Sequence, residues 1–129
     1  MQKYITGFTG SAGTAVIMQD MAGLWTDGRY FIQAADQLEG TGITLFKMGE
    51  PEVPTVHEFL KKKSDTGRCL GFDGRTVSAK EAAELEKMLD ENGVSLSVDH
   101  DLAGDIWENR PVLSCEPVTE LDIKWAGES

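Results

Sequence analysis

The run TDGRY, Thr26 to Tyr30, is the part of the sequence with the residue types most suited to chemistry. It places an acid, an arginine and a tyrosine where a strand-like segment changes to a helix-like one. The guanidinium of Arg29 could bind the carboxylate of a ligand through two parallel hydrogen bonds. It could equally pair with Asp27 and fix the turn. The residue types favour the second, structural role but leave both open.

The glycines at positions 7, 10 and 13 suggest a phosphate-binding loop at first sight. A P-loop, however, ends in Gly-Lys-Ser/Thr, and no lysine follows here. A dinucleotide-binding loop joins a strand to a helix, whereas these glycines precede a strand-like run. We therefore expect them to permit a tight turn or close backbone packing.

Two segments resemble metal sites in part. The run HEFLK starts like the zinc motif His-Glu-x-x-His, but Lys61 stands where the second histidine belongs. The donors of Asp99, His100 and Asp101 precede a predicted helix, where aspartate is a favoured cap without any metal. No nucleophile motif of a serine or cysteine hydrolase is present. The sequence thus predicts neither catalytic residues nor a metal site within this chain.

Composition narrows the class of protein. The 129 residues are 40% apolar and 26% charged, which predicts one soluble globular domain. The formal net charge of −10 argues against a nucleic-acid partner. No apolar run approaches the roughly 20 residues that span a bilayer, so no membrane partner is expected. Cys69 and Cys115 are expected to be free thiols in a reducing cytoplasm.

Strand and helix patterns alternate along the chain. The predicted strands are 13–18, 23–26, 43–48, 68–73 and 94–98, and the predicted helices are 27–38, 55–63, 78–93 and 101–111. The first two strands are spaced for a hairpin, so we expect an α/β fold with helices on a mixed β-sheet. Ser78 and Glu81 form a capping-box pattern. The tryptophans, Trp25, Trp107 and Trp125, are expected to be core or interface residues.

Four segments together resemble a known family. YITGFTGSAGTAVI, LWTDGRYFIQAADQL, LFKMG and DIWENRP occur in the same order as in the amino-terminal domain of Xaa-Pro aminopeptidases, relatives of creatinase and prolidase. The resemblance runs from about Tyr4 to Pro111, and Ile123-Lys124-Trp125 also fits. It is greatest to the first domain of the larger, three-domain enzymes.

The resemblance implies a fold and a role. The fold would be the creatinase/prolidase amino-terminal type, a ribonuclease H-like mixed sheet flanked by helices, over residues 1–111. Residues 112–129 would be an extended tail or linker toward a following domain. The parent protein would release the N-terminal residue of peptides with proline second, using two divalent ions, usually manganese, bound in its catalytic domain. This domain would be non-catalytic, contain no cofactor, and serve oligomer assembly and the shape of the substrate cleft.

The resemblance also suggests where partners would bind. Trp25, Asp27, Arg29 and Tyr30 are the candidates for positions near the substrate or at a subunit interface. The expected partners are the parent's own catalytic domain, a second subunit and, in the parent enzyme, the peptide substrate. Two alternatives stay open: a free-standing interaction module of the same fold, and a domain of a prolidase or creatinase relative.

The chain departs from the family pattern in two places. Family members carry several tens of residues before the GFTGSAG segment, so we expect the first strand and helix of the domain to be missing here. A sheet that lacks a strand exposes unpaired backbone groups, and we expect chains to pair or exchange strands in compensation. Gly104 stands where relatives often have an acidic residue, which weakens a functional role for its helix.

Overall fold

The computed structural model describes residues 1–63, 65 and 67–126. The strands are β1 (Thr14–Ile17), β2 (Ala22–Thr26), β3 (Ile43–Lys47), β4 (Cys69–Gly71) and β5 (Ser95–Ser97). The helices are α1 (Gln2–Thr6), α2 (Phe31–Leu38), α3 (Val56–Lys63), α4 (Ala79–Asp90), α5 (Leu102–Ile106) and α6 (Ile123–Ala126). A 3₁₀ turn, Gly28–Tyr30, joins β2 to α2.

Strand β2 is the centre of a three-stranded mixed sheet. It pairs antiparallel with β1, with Thr14 opposite Trp25, which confirms the predicted hairpin. On its other side it pairs parallel with β3, with Trp25 opposite Phe46. The predicted mixed sheet flanked by helices is therefore confirmed.

Both faces of β2 are buried, because successive side chains along a strand point to opposite faces of the sheet. Leu24 packs with Phe8, Ala34 and Leu38, so α2 and the segment after α1 cover one face. Trp25 packs on the other face against α3 and α4, in a cluster with Val16, Phe59, Leu60 and Leu85. The two-sided core accounts for the apolar run in this strand.

The second half of the chain forms a separate small sheet. Strands β4 and β5 pair parallel, and α4 connects them, as a crossover helix does between parallel strands. Ser78 caps α4 as predicted, its hydroxyl accepting a hydrogen bond from the Glu81 N–H at 3.2 Å. In the part of the chain that the structure describes, the five strands thus form one three-stranded and one two-stranded sheet.

Several boundaries differ from the sequence predictions. The opening residues form a helix, α1, which the pattern did not predict. The strand predicted over 68–73 is shorter in the structure, Cys69–Gly71, and Cys69 and Gly71 are exposed. Helix α5 ends at Ile106, well before Pro111.

The predicted tail includes one helical turn, α6. Residues 111–122 form neither helix nor strand, and all are exposed. Residues 127–129 lie outside the described part of the chain, and the division into 1–111 and 112–129 stays a prediction. Among the described residues, no helix is both long enough and apolar enough to cross a membrane.

Candidate functional site at the β2–α2 junction

Asp27 determines how the chain leaves β2. It caps the 3₁₀ turn, and its carboxylate accepts a hydrogen bond from the Arg29 N–H at 3.1 Å. Aspartate is favoured at such positions because its short side chain reaches the unpaired N–H groups of the first turn. The cap is followed by Arg29, which is exposed, and by Tyr30, which is half-buried and packs its ring against Phe8.

Arg29 is clamped by the same carboxylate. Its Nε donates to Asp27 at 2.9 Å and its Nη2 donates to the other oxygen at 2.7 Å. This bidentate pair lowers the pKa of Asp27 and raises that of Arg29. The Arg29 side chain is nevertheless 69% exposed, so part of its fork of five donors faces solvent.

Tyr30 connects the junction to the glycine segment, residues 7–13. Its hydroxyl lies 2.6 Å from that of Ser11, and this hydrogen bond lowers the pKa of the phenol. The Arg29 guanidinium carbon lies 5.3 Å from the centre of the Tyr30 ring, within the range of a cation–π contact. The three side chains thus form one polar surface across the junction.

Helix α2 and strand β2 hold the glycine segment in place. Gln37 of α2 accepts from the Thr9 N–H at 2.9 Å, and Thr26 of β2 donates to the Ala12 carbonyl at 2.7 Å. At Gly10 an added Cβ would lie 2.2 Å from the ring of Phe8, which is buried. The segment is a close-packed turn, as the sequence analysis expected, and its conformation is fixed by packing.

Trp25 lies in the core and not at the surface. It is 0% exposed, and its indole N–H donates to the Pro54 carbonyl at 2.8 Å. Of the two roles expected for the tryptophans, Trp25 has that of a core residue. The surface candidates are therefore Asp27, Arg29 and Tyr30.

Of the two partial metal motifs, the one that precedes α5 has a structural role. Asp101 caps α5 through the Gly104 N–H at 2.8 Å and forms ion pairs with Arg75, at 3.1 Å, and with Arg110. Within the described residues, no group of three or more His, Cys, Asp or Glu side chains could hold a metal ion. The donors of this part of the chain do not fit a metal centre.

A second polar cluster was missed by the sequence analysis. Arg75 binds Asp73 as Arg29 binds Asp27, with Nε to Oδ1 at 2.9 Å and Nη2 to Oδ2 at 2.8 Å. The shared triplet Asp-Gly-Arg, at 27–29 and again at 73–75, was the signal that could have predicted it. One local motif therefore produces the same clamp twice, once at the candidate site and once beside α5.

These features define a mixed α/β domain whose candidate site is a polar surface junction without a metal-binding group among the described residues. The domain model for the creatinase/prolidase N-terminal domain matches residues 2–106. The chain belongs to that family.

The chain is similar to named members of one enzyme group. It is 39% identical over 130 residues to a probable Xaa-Pro aminopeptidase P from Tuber melanosporum, covering 98% of this chain and 21% of that protein. It is 41% identical over 129 residues to aminopeptidase P2 of Arabidopsis thaliana, covering 98% of this chain and 18% of that protein. The chain thus spans about a fifth of the length of these relatives.

A solved structure shows the same fold. The X-prolyl aminopeptidase of Caenorhabditis elegans superposes with a TM-score of 0.85 at 35% identity, over 95% of this chain and 20% of that one. That protein is described as a cytosolic enzyme with a di-nuclear active site. The match supports the fold along nearly the whole chain.

Proposed function

We propose that this chain is the non-catalytic amino-terminal domain of an Xaa-Pro aminopeptidase. The observation that carries the proposal is the likeness along almost the entire chain to three relatives: a probable Xaa-Pro aminopeptidase P in a fungus, aminopeptidase P2 in a plant and an X-prolyl aminopeptidase in a nematode. The parent protein would release the N-terminal residue from peptides with proline in second position. It would act in the cytoplasm, like the nematode enzyme.

The chemistry of the parent would belong to a domain outside this chain. Two divalent ions, which we propose to be manganese, would supply Lewis-acid activation of water there. The described residues of this chain offer no group of ligands for such a pair. We propose that these residues serve to bind and position the substrate or a neighbouring subunit.

The β2–α2 junction is the surface we propose to face the substrate cleft or a neighbouring subunit. Arg29 is exposed and held rigid by Asp27, which suits a guanidinium that meets a carboxylate with little loss of conformational entropy. Tyr30, fixed by Ser11, would add a hydroxyl beside it. The parent's catalytic domain, a second subunit and the peptide substrate are the proposed partners.

The proposal is tested with the parent polypeptide, purified and supplied with Mn²⁺. We expect it to release the first residue of a peptide with proline second, and to leave a matched peptide with alanine second uncleaved. Equal cleavage of the two peptides, or cleavage of neither, would contradict the proposed specificity. Both peptides have the same length and the same first residue, so only the second position is compared.

A further inference from the structure

The segment 107–110 connects α5 to the exposed residues that follow. Trp107 donates its backbone N–H to the Gly104 carbonyl at 3.3 Å, and Arg110 donates its own to the Trp107 carbonyl at 3.2 Å. Pro111 then begins the run 111–122, which is exposed and forms neither helix nor strand. The contacts of residues 107–110 therefore decide where the chain leaves the folded elements.

One carboxylate holds the end of this segment. Asp101 accepts a hydrogen bond from the Gly104 N–H at 2.8 Å, which caps α5, and its Oδ2 also forms an ion pair with the guanidinium of Arg110. The Asp101 side chain is only 17% exposed, so salt and water screen this pair less than they screen a pair at the open surface. Arg75 binds the same oxygen at 3.1 Å, but it lies outside the segment.

Gly104 leaves the space in which these charged groups meet. An added Cβ would lie 2.7 Å from Oδ2 of Asp101 and 2.9 Å from Nη1 of Arg110, closer than real Cβ atoms approach their neighbours. Gly104 lies within the helix α5, and its φ is not positive, so the backbone conformation does not require glycine. The residue is therefore needed for the space that it leaves to the ion pair.

Aromatic contacts join the same segment to the start of the chain. The guanidinium carbon of Arg110 lies 5.9 Å from the centre of the Trp107 ring, within the range of a cation–π contact. Tyr4 of α1 stacks on that ring, with centroids 4.4 Å apart, and its hydroxyl donates to the Ile106 carbonyl at 3.1 Å. Arg110 is thus in contact with Asp101 and, through Trp107, with α1.

We infer that Asp101, Gly104 and Arg110, which we call the exit cluster, form a latch that fixes the position and direction in which the chain continues toward residue 112. When the ion pair is lost, the segment 107–110 opens from α5 more often, because only weaker contacts remain. The exit cluster also explains a glycine inside a helix, where alanine is otherwise favoured. The inference goes beyond the proposed function and does not depend on it.

The test measures hydrogen exchange by mass spectrometry in the parent polypeptide, so the segments on both sides of this chain are present. Gly104→Ala and Arg110→Ala each remove the ion pair, and Arg75→Ala is the matched control, because it leaves Arg110 on Asp101. We expect exchange in the segment 107–110 to become about tenfold faster in the first two variants, the effect of losing one charged hydrogen bond. Exchange in the control should be unchanged.

Two features of the result separate the latch from a general loss of structure. Exchange in α4 should be unaltered in all variants, since α4 lies outside the exit cluster. Alanine favours a helix more than glycine does, so helix propensity alone predicts slower exchange for Gly104→Ala, opposite to the expected sign. Exchange in the segment 107–110 that is unchanged or slower in either test variant, or equally faster in Arg75→Ala, would overturn the inference.

A double variant tests whether Gly104 and Arg110 act through one contact. In Gly104→Ala combined with Arg110→Ala, exchange should rise by less than the product of the two separate factors, because the second change finds the ion pair already lost. Factors that multiply in full would overturn the common role of the two residues. The measurement is one of exchange and not of peptide cleavage, so its failure would leave the proposed function untouched.

Discussion

The ring of Trp25 lies parallel to the ring of Phe46, with centroids 4.0 Å apart and an interplanar angle of 2°. The two residues are directly opposite each other on β2 and β3. Phe59 of α3 approaches the Trp25 ring edge-on, with centroids 4.9 Å apart. This aromatic cluster joins the mixed sheet to α3 and so supports the surface on which the β2–α2 junction lies.

Replacement of Trp25 by alanine is expected to lower the free energy of unfolding by about 3–5 kcal/mol, because it leaves a cavity in the core. The control is Trp125→Ala, at a side chain that is 73% exposed, with an expected change within about 0.5 kcal/mol. Urea unfolding followed by circular dichroism measures both. Equal effects of the two substitutions would contradict the place of Trp25 in the core.

Substitution of Gly10 by alanine is expected to destabilise the fold. Its Cβ would overlap the Phe8 ring, so Gly10→Ala should cost about 1–3 kcal/mol of stability. Gly28 is the matched control, since a Cβ there meets only an ordinary contact at 3.9 Å from Phe31. Gly28→Ala should change stability by less than about 1 kcal/mol. Thermal unfolding of the two variants would show whether the glycine segment is as tightly packed as the structure indicates.

Asp73 is expected to make the stability of the fold depend on pH in the acid range. Its hydrogen bonds with the Arg75 side chain lower its pKa from 3.8 to about 2. Because the folded-state pKa is depressed, this carboxylate stabilises the fold above about pH 4, and the contribution is lost as pH falls toward 2. The Asp73 carboxyl should therefore titrate near pH 2 by NMR. A titration at its ordinary value would contradict the clamp, and Asp73→Asn should remove this part of the acid dependence.

Arg29 and Arg75 form a matched pair for testing the candidate site, because each makes the same clamp with its aspartate. In the parent enzyme, Arg29→Ala should change kcat or KM for an Xaa-Pro peptide, or the dissociation constant of the subunits, by about tenfold. A factor of that size corresponds to the loss of one good charged contact. Arg75→Ala should leave the kinetic constants and the assembly of subunits unchanged. Unaltered kinetics and assembly in the Arg29 variant would remove this residue from the proposed site.

Local sequence patterns were sufficient for most helices and strands. The β1–β2 hairpin, the 3.6-residue periodicity of α4 and the cap at Ser78 depend on neighbouring residues, and all are confirmed. A second capping box was also present in the sequence and was not predicted. Thr55 and Glu58 at the start of α3 bond reciprocally, at 2.8 and 3.2 Å.

Features that depend on distant residues could not be predicted in this way. Helix α1 is only five residues long, and contacts about 100 residues away accompany it. Tyr4 stacks on Trp107 at 4.4 Å and donates its hydroxyl to the Ile106 carbonyl at 3.1 Å. The division into two sheets likewise depends on pairing between segments that are distant in the sequence, such as β4 with β5. At the candidate site, the Asp27–Arg29 pair was the alternative that the sequence favoured. The bond between Tyr30 and Ser11 was not predicted, because it joins two separate elements.

The most direct measurement compares two samples in one assay, this chain alone and the parent polypeptide that contains it, each with Mn²⁺ and the same Xaa-Pro peptide. Release of the first residue is followed by mass spectrometry. The parent is expected to turn the peptide over, and the isolated chain to release no more than a protein-free blank. Turnover by the purified chain itself would contradict the assignment of this domain as non-catalytic.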